Sequence, residues 1–298
     1  MTKANRRALS EMDASFLSHR RQGLFQVLEK EIYHEHLFAL TLIYPPSMDT
    51  VMASLQPGAF LHIMPPNVGG RHLFLRRPLS IAGIDRDQRT VLLIVKIIGD
   101  GTEQLSRVKP GDELDVYVPY TNGFPTQHLE HGARALLVGG GVGVAPLLWL
   151  AEVLHAQGVQ ITALMGFRES RDVIGLHTLK QLGAVQIVTE DGSSGAQGRV
   201  TDYMPRFSYD ALFGCGPEPM LKTLAHLTAG DPRPHYVSLE ARMACATGVC
   251  RACVVAVQSK GKIDETINVK GMHEHVSIEH RRVCHDGPVF QLSELVFA

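Results

Sequence analysis

Short apolar or alternating runs fill the first part of the chain. FQVLEKEIY (25–33), LFALTLIY (37–44), LHIMP (61–65), LSIAGI (79–84) and VLLIVKIIG (91–99) each have the length of a strand. Pro45-Pro46, Gly58, Gly69-Gly70 and the polar stretch 85–88 separate them as turns. KPGDELDVYVP (109–119) sets a Pro-Gly-Asp turn before another strand. Strands at this spacing predict a small antiparallel barrel or sandwich over residues 25–130. The texture changes near residue 131. ARALLVGG, ITALMGF, AVQIVTE and ALFGCG are buried-strand signals, and they alternate with the helical runs APLLWLAEVLHAQG, DVIGLHTLKQLG and EPMLKTLAHLTAG. That alternation predicts a parallel α/β sheet over 131–236. Residues 237–298 form a third, small piece. MACATGVCRACVVAV has too little periodic apolar content for a core of its own, so this piece is expected to need a staple. Residues 1–24 read as a polar, loose or weakly helical extension.

Composition narrows the function classes. The chain has 298 residues, 45% hydrophobic and 20% charged, as an ordinary globular protein does. Lys plus Arg is 29 and Asp plus Glu is 30, a formal net charge of -1, which gives no electrostatic case for nucleic acid. The N-terminal stretch lacks the apolar core of a signal peptide. The long uncharged run 135–151 carries four glycines and a proline in its middle, so it reads as strand, turn and helix rather than a membrane span. Without an export signal and with clustered cysteines, a reducing cytoplasm is the expected compartment.

Four of the five cysteines lie between Cys245 and Cys284. Cys245, Cys250 and Cys253 follow C-x₄-C-x₂-C, and thirty residues separate Cys253 from Cys284, which is the plant-type spacing for a 2Fe–2S cluster. Ala244, Ala246, Gly248 and Ala252 supply the small residues that a tight cluster loop needs. A zinc site is the alternative, kept open by His273, His275, His280 and His285, although structural zinc favours two short ligand pairs.

The run Gly139-Gly140-Gly141-Val142-Gly143-Val144-Ala145-Pro146 follows a strand and opens a helix, the setting of a phosphate-cradling turn. Its spacing is G-x-G-x-x-P, not the Rossmann G-x-G-x-x-G, and a purely structural turn is an equal alternative. Arg77-Pro78-Leu79-Ser80 lies on a predicted barrel strand, where an arginine can hold a pyrophosphate and a serine can reach a ring. Gly101-Thr102 offers a turn amide and a hydroxyl to a second phosphate. Cys215 ends a predicted parallel strand, where ligands bind in open α/β sheets; a small buried thiol is the bland alternative.

The order of these parts resembles the ferredoxin reductase superfamily over about residues 25–230. The C-terminal LEARMACATGVCRACVV and RVCHDGPVF are similar to one branch of it, the iron–sulfur electron-transfer subunits of heteromeric, NAD-dependent dihydroorotate dehydrogenase. The resemblance implies an N-terminal FAD-binding barrel, a central NAD-binding α/β domain and a C-terminal ferredoxin-like 2Fe–2S domain. It implies FAD contacts at Arg77, Pro78, Leu79 and Ser80, then at Ile94, Val95, Lys96, Gly101 and Thr102. It implies a pyridine-nucleotide loop at Gly141, Gly143 and Pro146, with Cys215 near the nicotinamide. Cys245, Cys250, Cys253 and Cys284 would be the cluster ligands. It further implies an FMN-containing catalytic partner, assembled two plus two, which passes electrons through 2Fe–2S and FAD to NAD⁺. NAD is chosen over NADP on the resemblance, since Arg168 or Arg171 could receive a 2′-phosphate. The stretch between Cys253 and Cys284 is longer than the family pattern and is expected to be a surface excursion. The alternatives are a reductase subunit of a related transhydrogenase or hydrogenase complex, and a non-enzymatic redox or zinc-binding module.

Overall fold

The computed structural model describes residues 21–67, 73–258 and 278–297. Six antiparallel strands close a barrel in the order β1-β2-β5-β4-β3-β6. They are β1 (Arg21–His34), β2 (Leu37–Ile43), β3 (Phe60–Ile63), β4 (Arg77–Asp85), β5 (Thr90–Lys96) and β6 (Glu113–Val118). Helices α1 (Asp49–Ser54) and α2 (Asp100–Leu105) lie in its connections. Inward positions alternate along each strand, so Phe25, Leu40, Leu61, Ile81, Leu93 and Val116 fill the interior. β1 begins at Arg21, not after residue 24: residues 21–24 pair with β6 from Arg21–Val118 to Leu24–Asp115. Backbone pairing, not apolar content, recruits this polar stretch into the barrel. Residues 1–20 of the expected extension lie outside the described residues.

The second half is built on β7 (Arg134–Gly140), α3 (Ala145–Ala156), β8 (Gln160–Phe167), α4 (Leu176–Leu182), β9 (Ala184–Thr189), β10 (Ala196–Gln197), α5 (Val200–Tyr203), β11 (Ala211–Cys215), α6 (Glu218–Leu227) and β12 (His235–Ser238). The helix expected from residue 172 starts only at Leu176, because Gly175 at φ +67° caps it. The chain continues through β13 (Val254–Gln258), β14 (Ile278–Arg282), α7 (Val283–Asp286) and β15 (Val289–Gln291). A seven-stranded sheet runs β10-β9-β8-β7-β11-β12-β15. Its first six strands are parallel and β15 is antiparallel to β12. Trp149 of α3 sits among the barrel's core residues and so joins the two bodies.

The C-terminal segment, expected to lack a core of its own, does not stand alone. β12 crosses the expected boundary at 236/237, and β15 returns to pair with it. Cys253, Val257, Val283, Cys284 and Phe290 share one core with Leu136, Val138 and Val237 of the sheet. Asn122, just past β6, locks this return: its Nδ2 donates to the Val289 carbonyl at 2.7 Å, and its Oδ1 accepts from Val289 N at 3.0 Å. The segment therefore borrows the sheet's core instead of building one. Among the described residues no helix is long and apolar enough to cross a membrane.

Candidate functional site

A cleft of about 1250 Å³ opens between the barrel and the carboxyl ends of the parallel strands. Such strand ends are where open α/β sheets bind ligands. Arg77, Pro78, Leu79 and Ser80 of β4, Ile94 and Lys96 of β5, Gly101, Thr102 and Gly141 all line it. Residues far apart in sequence thus converge on one wall.

Arg77 and Gly101 fit each other. A Cβ on Gly101 would meet Arg77 Nε and, at 2.6 Å, its Cζ. Only glycine leaves space for the guanidinium there. Arg77 Nη1 donates to the carbonyls of Leu75 (2.6 Å) and Arg76 (3.3 Å), which orients the group. Arg76 buttresses the strand by pairing with Asp115, Nη2 to Oδ2 at 2.5 Å and Nη1 to the backbone carbonyl at 2.7 Å. A planar, fixed guanidinium in a cleft is a fitting partner for a pyrophosphate.

Four expected contacts lie elsewhere. Val95 alternates with Ile94 and Lys96 and therefore points into the barrel core. Gly143, Pro146 and Cys215 do not line the cleft. A Cβ on Gly143 would fall 2.6 Å from the Cys215 carbonyl oxygen and 2.7 Å from Gly216 Cα, so this glycine seats the turn against the end of β11. Pro146 is buried in the first turn of α3, where its fixed φ suits a helix start. Cys215 is buried; desolvation, then the charge of Glu240, push its thiol well above the usual range, and a bond with Ser238 opposes them weakly. It is a neutral thiol buried off the cleft lining. Thr102 does line the cleft, but its hydroxyl accepts from Ile98 N and donates to the Gly99 carbonyl, both at 3.0 Å. That hydroxyl holds the 98–102 turn.

Within the glycine run, Gly140 and Gly141 line the cleft, and Gly141, at φ +55°, has open space where a side chain would stand. Gly139 is packed against Met165, and a Cβ on Gly140 would meet Met220. The turn leads into α3, whose N-terminal N–H groups and dipole favour an anion. Gly143→Ala is expected to displace this turn, cost about 1–3 kcal/mol by overpacking, and raise the KM for NADH while flavin content stays unchanged. Steady-state dye reduction with NADH checks it.

Sequence reasoning missed the wall from Ser238 to Met243, which lines the cleft and runs directly into Cys245. Leu239 N anchors it on the Pro288 carbonyl at 2.9 Å. Glu240 in this wall is largely buried, and burial raises its pKa. The signal in the sequence is the LEARM run, which carried only a resemblance. Glu190 and Arg199 also line the nucleotide side, with Arg168. Arg171 does not join them, because Glu35 and Glu169 hold it at 2.8 Å each.

The cysteine loop is preorganised around its sulfurs. Thr247 N and Cys250 N donate to Cys245 Sγ at 3.4 and 3.5 Å. Cys284 N donates to Cys253 Sγ at 3.4 Å. Burial works against ionisation of Cys245, but the bonds from Thr247 and Cys250 prevail and bring its pKa to about 6. Ala246 (φ 52°), Gly248 (φ 80°) and Arg251 (φ 57°) are left-handed, which curls the backbone so that its N–H groups face inward. Side-chain bonds pair Cys245 with Cys250 and Cys253 with Cys284. Cys253 and Cys284 meet because β13 and β14 pair from Val254–Arg282 to Gln258–Ile278, and the cysteines flank the near end of that hairpin. The long insert leaves from the far end, and its residues 259–277 lie outside the described residues. Arg282 braces the loop: Nη1 donates to the Gly248 carbonyl at 3.1 Å while Nε and Nη2 hold Asp286.

The donor set fits a two-iron cluster, with four thiols in two pairs and backbone N–H groups on the sulfurs. Among the described residues, no three His, Cys, Asp or Glu side chains stand together as a site for a single metal ion. His285 Nδ1 lies 2.9 Å from Asp286 Oδ1.

The fold and cleft are those of a reductase that joins a flavin barrel to a nucleotide sheet. A chain of an NADH-dependent reduced ferredoxin-NADP oxidoreductase superposes with a TM-score of 0.75 at 27% identity, covering 92% of this chain and 90% of that one. Residues 240–296 match the family model of the iron–sulfur cluster binding domain of dihydroorotate dehydrogenase B. The electron transfer subunit of dihydroorotate dehydrogenase B (NAD(+)) from Shouchella clausii is 41% identical over 81% of this chain and 86% of its own. That from Bacillus caldolyticus is 39% identical over 91% and 96%. The chain belongs to the family of electron transfer subunits of dihydroorotate dehydrogenase B (NAD(+)).

Proposed function

We propose that this chain takes electrons from a catalytic dihydroorotate dehydrogenase subunit and delivers them to NAD⁺. The observation that carries this reading is the shared wall: residues 238–243 line the cleft and continue into the cysteine loop. NAD⁺ takes two electrons at once and an iron–sulfur cluster passes one at a time, so a flavin that does either belongs between them. Arg77, seated over Gly101, would hold the FAD pyrophosphate, with Pro78, Leu79, Ser80, Ile94 and Lys96 around it. Gly141 and the start of α3 would take the nucleotide's phosphates. Cys245 with Cys250, and Cys253 with Cys284, would each hold one iron of a 2Fe–2S cluster. Cys215 and Glu240 support the wall where the nicotinamide would lie.

The partner carries FMN and the dihydroorotate site in this reading, and the assembly is two plus two. Val249, 81% exposed on the cysteine loop, belongs to the face such a partner would cover. Five free cysteines suit a reducing cytoplasm. Mixing the chain with an FMN-containing catalytic subunit tests the proposal. Dihydroorotate-dependent NADH formation and a stable complex at micromolar concentration are expected. A catalytic subunit that neither binds nor drives NAD⁺ reduction would refute it.

A further inference from the structure

A second, smaller pocket of about 220 Å³ lies where the barrel meets the cysteine loop. His62 of β3 and Cys245 both line it, with Arg76, Ala244 and Thr247. The strand alternates, so Leu61 and Ile63 enter the barrel core while Phe60 and His62 face outward. Phe60 lines the large cleft and Pro78, the cross-strand neighbour of His62, lines it too. His62 therefore stands in the wall between the cleft and the cysteine loop.

The imidazole is 1% exposed and neither ring nitrogen has a hydrogen-bond partner. A buried donor left unpaired costs about 1–3 kcal/mol, and a neutral imidazole always carries one N–H. Burial, and then the nearby cations Arg76 and Arg77, disfavour a positive charge on the ring. Cys245 brings to the pocket a sulfur that already accepts from two backbone N–H groups; Thr247 and Tyr117, the β6 neighbour of His62, line the pocket as well. Gln22, also on the rim, is tied by its Nε2 to Asp115 at 2.8 Å.

We propose that His62 is a positioning residue whose unpartnered N–H turns to the Cys245 sulfur when a cluster is held there, adding a third hydrogen bond, and so raises the reduction potential of the cluster. A bond to a ligand sulfur stabilises the more negative, reduced state, which is how surroundings set such potentials. The barrel would then tune the cluster through one strand, besides binding the flavin. The inference rests on the cluster assignment proposed above.

The test is an anaerobic redox titration of the full chain with its cofactors, followed by EPR of the reduced cluster. His62→Leu should shift the reduction equilibrium about tenfold toward the oxidised form, about 59 mV for one electron, with iron and flavin content unchanged. His62→Gln keeps an N–H donor and should stay near the wild-type value. An unchanged potential in His62→Leu overturns the inference, as does a shift in His62→Gln as large as in His62→Leu. If His62→Leu assembles no cluster, pulsed EPR on protein with ring-¹⁵N histidine decides. A nitrogen coupling present in the wild type and absent from His62→Gln supports the bond, and its absence from the wild type overturns it. A wild type with no cluster signal at all refutes the cluster assignment itself, a different result from any of these.

Discussion

Cys250→Ala is expected to reduce dihydroorotate-linked NAD⁺ reduction to background while NADH-dependent reduction of a dye survives. The physical reason lies in where the four cysteines stand. Cys250 is exposed at the loop, whereas Cys253 and Cys284 are buried in the core shared with the sheet. Removing an exposed side chain away from packing changes stability by only about 0.5 kcal/mol. The barrel, the cleft and Arg77 should therefore persist, and with them the flavin. Cys253→Ala would be a poorer test, because it also opens a hole in the common core. Iron content, flavin content and both activities, measured on one preparation, check the outcome. Survival of the dihydroorotate-linked activity would break the proposed electron path. Loss of both activities with flavin retained would mean that the loop also shapes the nucleotide side of the cleft.

Arg77→Ala carries the second large effect. A hydrogen bond to a charged group contributes about 1.5–3 kcal/mol, and every 1.4 kcal/mol is tenfold in affinity. FAD should bind about a hundredfold more weakly, and the protein should lose its flavin on gel filtration. The fold should hold, because Arg77 stands at the first position of β4, is only partly buried and is not among the barrel's core residues. Arg77→Lys is not a conservative rescue, since an ammonium lacks the planar fork. Fluorescence titration of the apoprotein with FAD measures the change. An affinity within threefold or so of wild type would remove Arg77 from the site.

Much of this was legible in the sequence because the signals were local. Period-two runs marked the barrel strands, and apolar runs alternating with helices marked the parallel sheet. The spacing of Cys245, Cys250 and Cys253 marked the cluster loop before any coordinates. The misreadings arose where facing, not residue type, decides. Val95 sits between two cleft residues and points the other way. Thr102 spends its hydroxyl on the 98–102 turn, and Cys215, expected near the nicotinamide, is buried off the cleft lining. Other features depend on contacts distant in sequence. β15 reaches β12 across the whole cysteine segment, so the C-terminal piece shares a core that its own composition could not supply. His62 looked like one residue of an apolar strand, and only the fold sets the cysteine loop beside its imidazole.

The central claim is that one chain holds a flavin and a two-iron cluster side by side. Cofactor analysis of anaerobically purified protein tests it most directly. The expected result is about one FAD, two iron and two acid-labile sulfides per chain, with flavin and iron–sulfur absorption in the visible spectrum. A colourless protein with about one zinc per chain and no labile sulfide would contradict it.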